Sequence, residues 1–280
     1  MLVDLNAVLP RARQGRYAVG LFNTVNLEMA RAVIAAAEEL RSPVIIGTAE
    51  ILLPYASLEE LSSFLVPMAR RARVPVVLHY DHGLTLEKIR QAMRLGFTSV
   101  MYDCSTLAFE ENCDAVRALV QEAHAQNITV EAELGHVGAN QTAGESAGDD
   151  SIYTDPEEAA KFCRRTRVDA LAVAVGTAHG AYKEAPRLDF ARLKAISSRI
   201  DTPLVLHGGS GLSSEDFRRT IENGIAKVNI FTDINCAGAR AAHDHWAQGK
   251  GMTDLSLQVE HAIKQATMEK MRIFGSAGKA

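Results

Sequence analysis

Eight short apolar, β-rich runs alternate with amphipathic stretches from one end of the 280-residue chain to the other, and this pattern predicts an α/β fold, a (β/α)8 TIM barrel with extra C-terminal helices. The runs themselves carry a second sign. Pro75-Val-Val-Leu78 and Leu171-Ala-Val-Ala-Val175 are apolar without alternation, as strands are when helices cover both faces of a parallel sheet. A third sign is negative. A doubly wound open sheet that binds a dinucleotide would carry a glycine-rich turn after its first strand, and Phe22-Asn-Thr-Val-Asn26 has no glycine.

The first strand is expected over Tyr17–Phe22, with a helix near 25–40. The second is Pro43–Thr48 with a helix near 57–72, the third Pro75–Asp81 with 85–95, and the fourth Ser99–Cys104 with 107–125. The fifth is Thr129–Gly135 with 155–165, the sixth Ala170–Gly176 with 187–198, and the seventh Pro203–Gly208 with 213–223. The eighth is Lys227–Thr232, followed by a helical extension over about 234–280. Thr154-Asp-Pro-Glu157 sets a proline early in a helix, and Ser213-Ser-Glu-Asp216 supplies cap hydroxyls and early acids. No linker composition interrupts the chain, so residues 1–280 read as one domain. The longest irregular stretch, His136–Tyr153, has a length that in a compact fold marks a functional or mobile loop, here expected to close over the site.

Composition narrows the function. With 47% hydrophobic and 23% charged residues the chain is neither disordered nor fibrous. A net charge of −4 provides no field to recruit nucleic acid or an anionic membrane. No apolar run reaches the ~18 residues of a membrane span, and Met1 to Arg13 lacks a secretory pattern. Cys104, Cys113, Cys163 and Cys236 form no CxxC, which argues against a disulfide framework and against a cysteine zinc site. A soluble cytoplasmic protein is expected.

Barrel sites lie at the C-terminal strand ends, and three histidines sit just past apolar runs there: His82, His179 and His207. Any one alone reads better as a capping or hydrogen-bonding residue. Three at equivalent ends, flanked by glycines, read as a catalytic zinc site with its fourth position open. His79 lies upstream on the same strand as His82 as a candidate supporting residue, and His136 opens the long loop without an assigned role. Gly208-Gly-Ser-Gly211 precedes a helix, and Asn229 and Thr232 end the eighth strand; glycines and hydroxyls after strands seven and eight mark a phosphate site. From the residues alone, Asp81 reads equally as a proton-transfer group or as a partner orienting a histidine.

These segments resemble the class II, metal-dependent, ketose-bisphosphate aldolase family. The resemblance spans essentially the whole chain: Tyr17-Ala-Val-Gly-Leu-Phe-Asn23, Leu78-His-Tyr-Asp-His-Gly83, Glu131-Ala-Glu-Leu-Gly135, Gly176-Thr-Ala-His-Gly180, Leu206-His-Gly-Gly-Ser-Gly211, Lys227-Val-Asn229 and Phe274-Gly-Ser-Ala-Gly-Lys279. It is strongest toward the tagatose-bisphosphate aldolase branch and its less characterised relatives. The resemblance implies Zn2+ held by His82, His179 and His207, with Asp103 and Glu133 offering the metal a second resting position. It implies retro-aldol cleavage of a ketose 1-phosphate or ketose 1,6-bisphosphate of tagatose or fructose type, giving dihydroxyacetone phosphate (DHAP) and an aldehyde. Asp81 would move the C4 hydroxyl proton, with Asn229 in the catalytic set. Gly180, Gly208, Gly209, Ser210, Asn229, Ile230, Phe231 and Thr232 would hold DHAP. A monovalent cation near the phosphate and a homodimer or homotetramer are also implied.

Two departures stand out. Where the family carries a loop glutamate, this chain reads Gly138-Ala-Asn-Gln-Thr142, and Glu145 is the first acid. Where many members carry an Asp-Pro-Arg tripeptide whose arginine grips a 6-phosphate, this chain has Gly251-Met-Thr-Asp-Leu-Ser256; Lys250 and Arg240 are the nearby substitutes. The expectation is therefore that DHAP is obligatory and the aldehyde need not be phosphorylated. A hydrolase using the same histidines to activate water, and a non-catalytic companion subunit of an aldolase, are the competing readings. The glycine-serine loop and Asp81 favour the lyase over the hydrolase, and the retained histidines argue against the companion.

Overall fold

The computed structural model describes residues 1–137, 153–180 and 186–280. The chain opens with strand β1 (Leu2–Val3) and helix α1 (Leu5–Gly15). Eight strand–helix units follow: β2 (Val19–Asn23) and α2 (Leu27–Leu40), β3 (Val44–Ala49) and α3 (Leu58–Arg71), β4 (Val76–Gly83) and α4 (Leu86–Arg94), β5 (Ser99–Tyr102) and α5 (Phe109–His124). Then come β6 (Thr129–Leu134) and α6 (Pro156–Thr166), β7 (Ala170–Val173) and α7 (Phe190–Ser197), β8 (Leu204–Leu206) and α8 (Ser214–Glu222), β9 (Ile225–Ile230) and α9 (Thr232–His245). A last helix, α10 (Met252–Ile273), packs on α9 and α2. Every strand pairing is parallel, and β2 pairs with β9 while β4 pairs with β5, which closes a barrel of eight strands, β2 to β9.

The helices start where the caps dictate. Asp155 accepts hydrogen bonds from the Glu157 and Glu158 amides ahead of Pro156, and Ser213 accepts from the Asp216 amide. Ser57 and Glu60 form a reciprocal capping box at α3. The carboxyl end of the chain is tied down by the Gly278 and Ala280 amides donating to the Leu40 and Arg41 carbonyls.

Three expectations shift. The fourth and sixth strands end early, at Tyr102 and Val173, where their ladders run out of partners. The eighth strand ends at Ile230, and Thr232 begins a helix. Of the extension expected over about 234–280, α9 completes the eighth unit and α10 with the tail is the addition. Helix α1 was not anticipated. Its apolar face, Leu5, Val8, Leu9 and Ala12, is at most 3% exposed and packs under the barrel against Val19, Leu21, Ile45, Val77, Ala170, Ala172, Val205 and Ala226. The four cysteines are free, and among the described residues no helix is long and apolar enough to cross a membrane.

Candidate metal centre

Strand alternation turns every second residue inward, and at the upper end of the barrel those residues are polar. In β4 the inward series is Val77, His79, Asp81, while Val76, Leu78 and Tyr80 join the outer core. One more residue then faces in. Between Tyr80 and Gly83, β4 spends three steps where β5 spends two, Val100 to Tyr102, and His82 adopts the left-handed conformation at φ 43°. This bulge, at a backbone cost on the order of 1–3 kcal/mol, aims the adjacent side chains of Asp81 and His82 into the same space.

The rings of His82, His179 and His207 converge there. Their centroids lie 4.5 to 5.8 Å apart, and one ring nitrogen from each falls in a set within 4.8 Å. His82 Nε2, His179 Nε2 and His207 Nδ1 are buried and have no hydrogen-bond partner. Each costs about 1–3 kcal/mol if left so. The opposite nitrogens are fixed: His82 Nδ1 lies 3.0 Å from Asp103 Oδ2, His179 Nδ1 3.1 Å from the Val137 carbonyl, and His207 Nε2 2.9 Å from Glu131 Oε1. Three oriented rings, each with one nitrogen committed and the other turned toward its neighbours, that of His207 also 3.0 Å from Glu133 Oε2, match a three-histidine cation site with its supporting partners.

The field agrees. Asp81, Asp103, Glu131 and Glu133 surround the rings, whereas the one ammonium against them among the described residues, Lys227, pairs with Glu131 at 2.7 Å. Burial would lower His207, yet the Glu131 and Glu133 carboxylates carry it up to about 10, so this position favours positive charge. His179, buried and beside the other two rings, falls to about 4. Asp103 and Glu133 also lie with His82 in a group compact enough for an ion, the expected second position.

Asp81 is buried, which would raise its pKa, but His82 and Lys227 hold it well below the usual carboxylate range, so it is ionised. Asn23 Nδ2 donates to it at 2.8 Å and Asn229 Nδ2 at 3.0 Å, and the Oδ1 atoms of both amides remain unpartnered. Beneath it, His79 donates or accepts at Ser99 Oγ, 2.7 Å away, and burial with the Lys227 charge lowers it to about 4.

A cleft of about 390 Å3 opens above this layer, lined by Asp81, His82, Asp103 and His179, and by Gly180, Gly208, Ser210, Asn229, Ile230, Phe231 and Thr232. Gly208 has φ 64°, and a Cβ there would sit 2.4 Å from the Ala178 carbonyl oxygen, so only glycine fits. Helix α9 begins beside it with no side-chain cap, leaving first-turn amides for an anion. Gly209 does not line the cleft and packs against Val228 and Phe217 instead. His207 and Glu133 are fully buried and do not line it either. His136 is exposed, with Nδ1 3.1 Å from Ser105 Oγ, which in turn donates to Asp103. Glu145 and most of the His136–Tyr153 loop lie outside the described residues. Arg240 and Lys250 do not line the cleft, and Lys250 Nζ donates to the His245 carbonyl at 2.8 Å.

The sequence reading assigned no role to Asn23, Glu131, Lys227 or Ser99. A signal existed for two of them. A lone lysine in Ile225-Ala-Lys-Val-Asn-Ile230 and a glutamate in Thr129-Val-Glu-Ala-Glu-Leu134 each interrupt a run buried on both faces, and buried charges come paired.

Comparison with known proteins follows this geometry. The family model "Fructose-bisphosphate aldolase class-II" matches residues 3–279. The chain is 42% identical over 280 residues to the uncharacterised protein YdjI of Escherichia coli K12, covering all of both. It is 40% identical over 287 residues to a fructose-bisphosphate aldolase of Geobacillus stearothermophilus, covering all of this chain and 99% of the relative. The crystal structure of the YdjI aldolase from Escherichia coli K12 is similar at a TM-score of 0.89 and 39% identity, with full coverage of both chains.

Proposed function

Because the chain belongs to the class II fructose-bisphosphate aldolase family, whose members are metal-dependent lyases, we propose that it cleaves a ketose 1-phosphate or 1,6-bisphosphate of tagatose or fructose type to DHAP and an aldehyde with Zn2+ held by His82, His179 and His207. The observation that carries the reading is the convergence of three buried imidazole nitrogens within 4.8 Å of one another beside an ionised aspartate. A divalent ion bound there supplies Lewis-acid stabilisation for the negative charge that develops on the ketose as the carbon–carbon bond breaks.

The chain's own residues do the rest. Asp81, fixed by Asn23 and Asn229, takes the proton from the C4 hydroxyl as C3–C4 cleaves, and returns it in the condensation. The free Oδ1 atoms of the two asparagines accept from substrate hydroxyls. Gly180, Gly208, Ser210, Thr232 and the first-turn amides of α9 hold the 1-phosphate, which positions the reacting carbons with binding energy remote from the bond being broken. Glu145 is the acid proposed to serve C3.

The test is condensation of DHAP with a panel of phosphorylated and unphosphorylated aldehydes. Activity should disappear on chelation and return with Zn2+. A protein equally active in excess chelator, or inactive with every aldehyde when loaded with zinc, would refute the reading.

A further inference from the structure

The cleft has a second wall of different character. Ala49, Ile51, Leu52 and Leu84 line it together with Asp81 and His82. Ala49 is the ladder partner of Asp81, and Leu84 follows His82 by two residues. In the ring of strands, β3 stands across the barrel mouth from β7 and β4 from β8, and the turns after β7 and β8 carry Gly180, Gly208 and Ser210. A ketose with its phosphate on the glycine side and its C4 hydroxyl on Asp81 therefore runs its remaining carbons over this wall.

The wall is built. Ile51 and Leu84 are 77% and 58% exposed, so their aliphatic groups meet the cleft and solvent rather than the core. Their turns are locked together by Glu50. Its Oε2 accepts from Tyr80 Oη at 3.0 Å, from the Leu84 amide at 2.8 Å and from the Thr85 amide at 3.2 Å, and its Oε1 accepts from Thr85 Oγ1 at 3.0 Å. Among the described residues no lysine or arginine lines the cleft. An anionic group against such a wall would lose hydration with no partner in return.

We propose that the turns after β3 and β4 are the subsite for the aldehyde half of the substrate, and that this subsite selects an uncharged aldehyde with an aliphatic end, Ile51 and Leu84 being its specificity residues. The proposal rests on the aldolase reading above and adds the chemical class of the second substrate.

The full-length zinc-loaded protein is assayed for condensation of DHAP with lactaldehyde, glyceraldehyde and glyceraldehyde 3-phosphate. The expected order of kcat/KM places lactaldehyde first and the phosphorylated aldehyde last. A preference of more than a hundredfold for glyceraldehyde 3-phosphate over glyceraldehyde overturns the subsite. The variants Ile51→Ser and Leu84→Ser, at exposed positions, should each lower the ratio of kcat/KM for lactaldehyde to that for glyceraldehyde about tenfold, the low end of what one methyl group earns in an apolar pocket. A ratio within twofold of the parent in both variants also overturns it. Should either variant fail to fold, the order measured on the parent protein decides. Reaction with some aldehydes in the wrong order sinks the subsite alone, whereas no reaction with any aldehyde sinks the aldolase reading and the subsite with it.

Discussion

The lower and upper halves of the barrel interior are made by the same strands and obey opposite rules. Below, inward positions are small or aliphatic, Val19, Leu21, Ile45, Val77, Ala170, Ala172 and Val205, and α1 seals them with Leu5, Val8 and Leu9. Two to four residues further along β2, β4 and the end of β8 the inward positions become Asn23, His79, Asp81 and His207, joined by Glu133 of β6, and all are at most 6% exposed. The lower half is held by area removed from water. The upper half is held by paired charge, Lys227 with Glu131 and His207 with both Glu131 and Glu133. The contrast teaches that burial in this barrel does not track hydrophobicity, and that deletions in the two halves should fail differently.

The largest effect is expected at the top. Asp81→Ala should lower kcat by about 10²–10⁴ while leaving bound zinc in place, as measured by metal analysis beside steady-state kinetics. Loss of zinc instead would make Asp81 a support for the metal rather than the proton carrier. Next, Lys227→Met removes the ammonium 2.7 Å from Glu131 and leaves that buried carboxylate with histidine partners alone, which should cost up to about 3–5 kcal/mol of stability in chemical denaturation. Adding Glu131→Gln should recover much of that loss, because the penalty lies in the orphaned charge.

The lower half gives the counterpart. Leu9→Ala should cost about 2–5 kcal/mol through the cavity left under the barrel, with zinc affinity unchanged by titration calorimetry. A parallel loss of zinc affinity would show the halves to be coupled and break the comparison. The smallest change sharpens it: Asp103→Asn removes the charge that fixes His82 Nδ1 and should weaken zinc binding about 10–100-fold, with stability of the metal-free protein little altered.

The legible part of this molecule was its periodicity. Strand runs buried on both faces, cap residues such as Asp155 and Ser213, and histidines followed by glycine all leave local marks, so the barrel, most helix bounds and His82, His179 and His207 were readable. The bulge was not, because nothing in Tyr80-Asp-His-Gly83 announces one extra residue against β5; without it, neighbouring positions were expected to point apart. Helix α1 was hidden by Pro10, which sits inside it. The pairing of Lys227 with Glu131 was hidden by distance, since 96 residues separate the two ends of one ion pair. The aliphatic wall of Ile51 and Leu84 was invisible for a related reason: it exists only because Glu50 joins two turns.

The central claim is the position of the cation. Crystals grown with zinc and measured at its absorption edge give the answer as an anomalous difference map. The account predicts one peak at about 2.0–2.1 Å from His82 Nε2, His179 Nε2 and His207 Nδ1. A peak instead in the fully buried group formed by His79, Asp81 and Glu131, or no peak in protein that remains active, would contradict it.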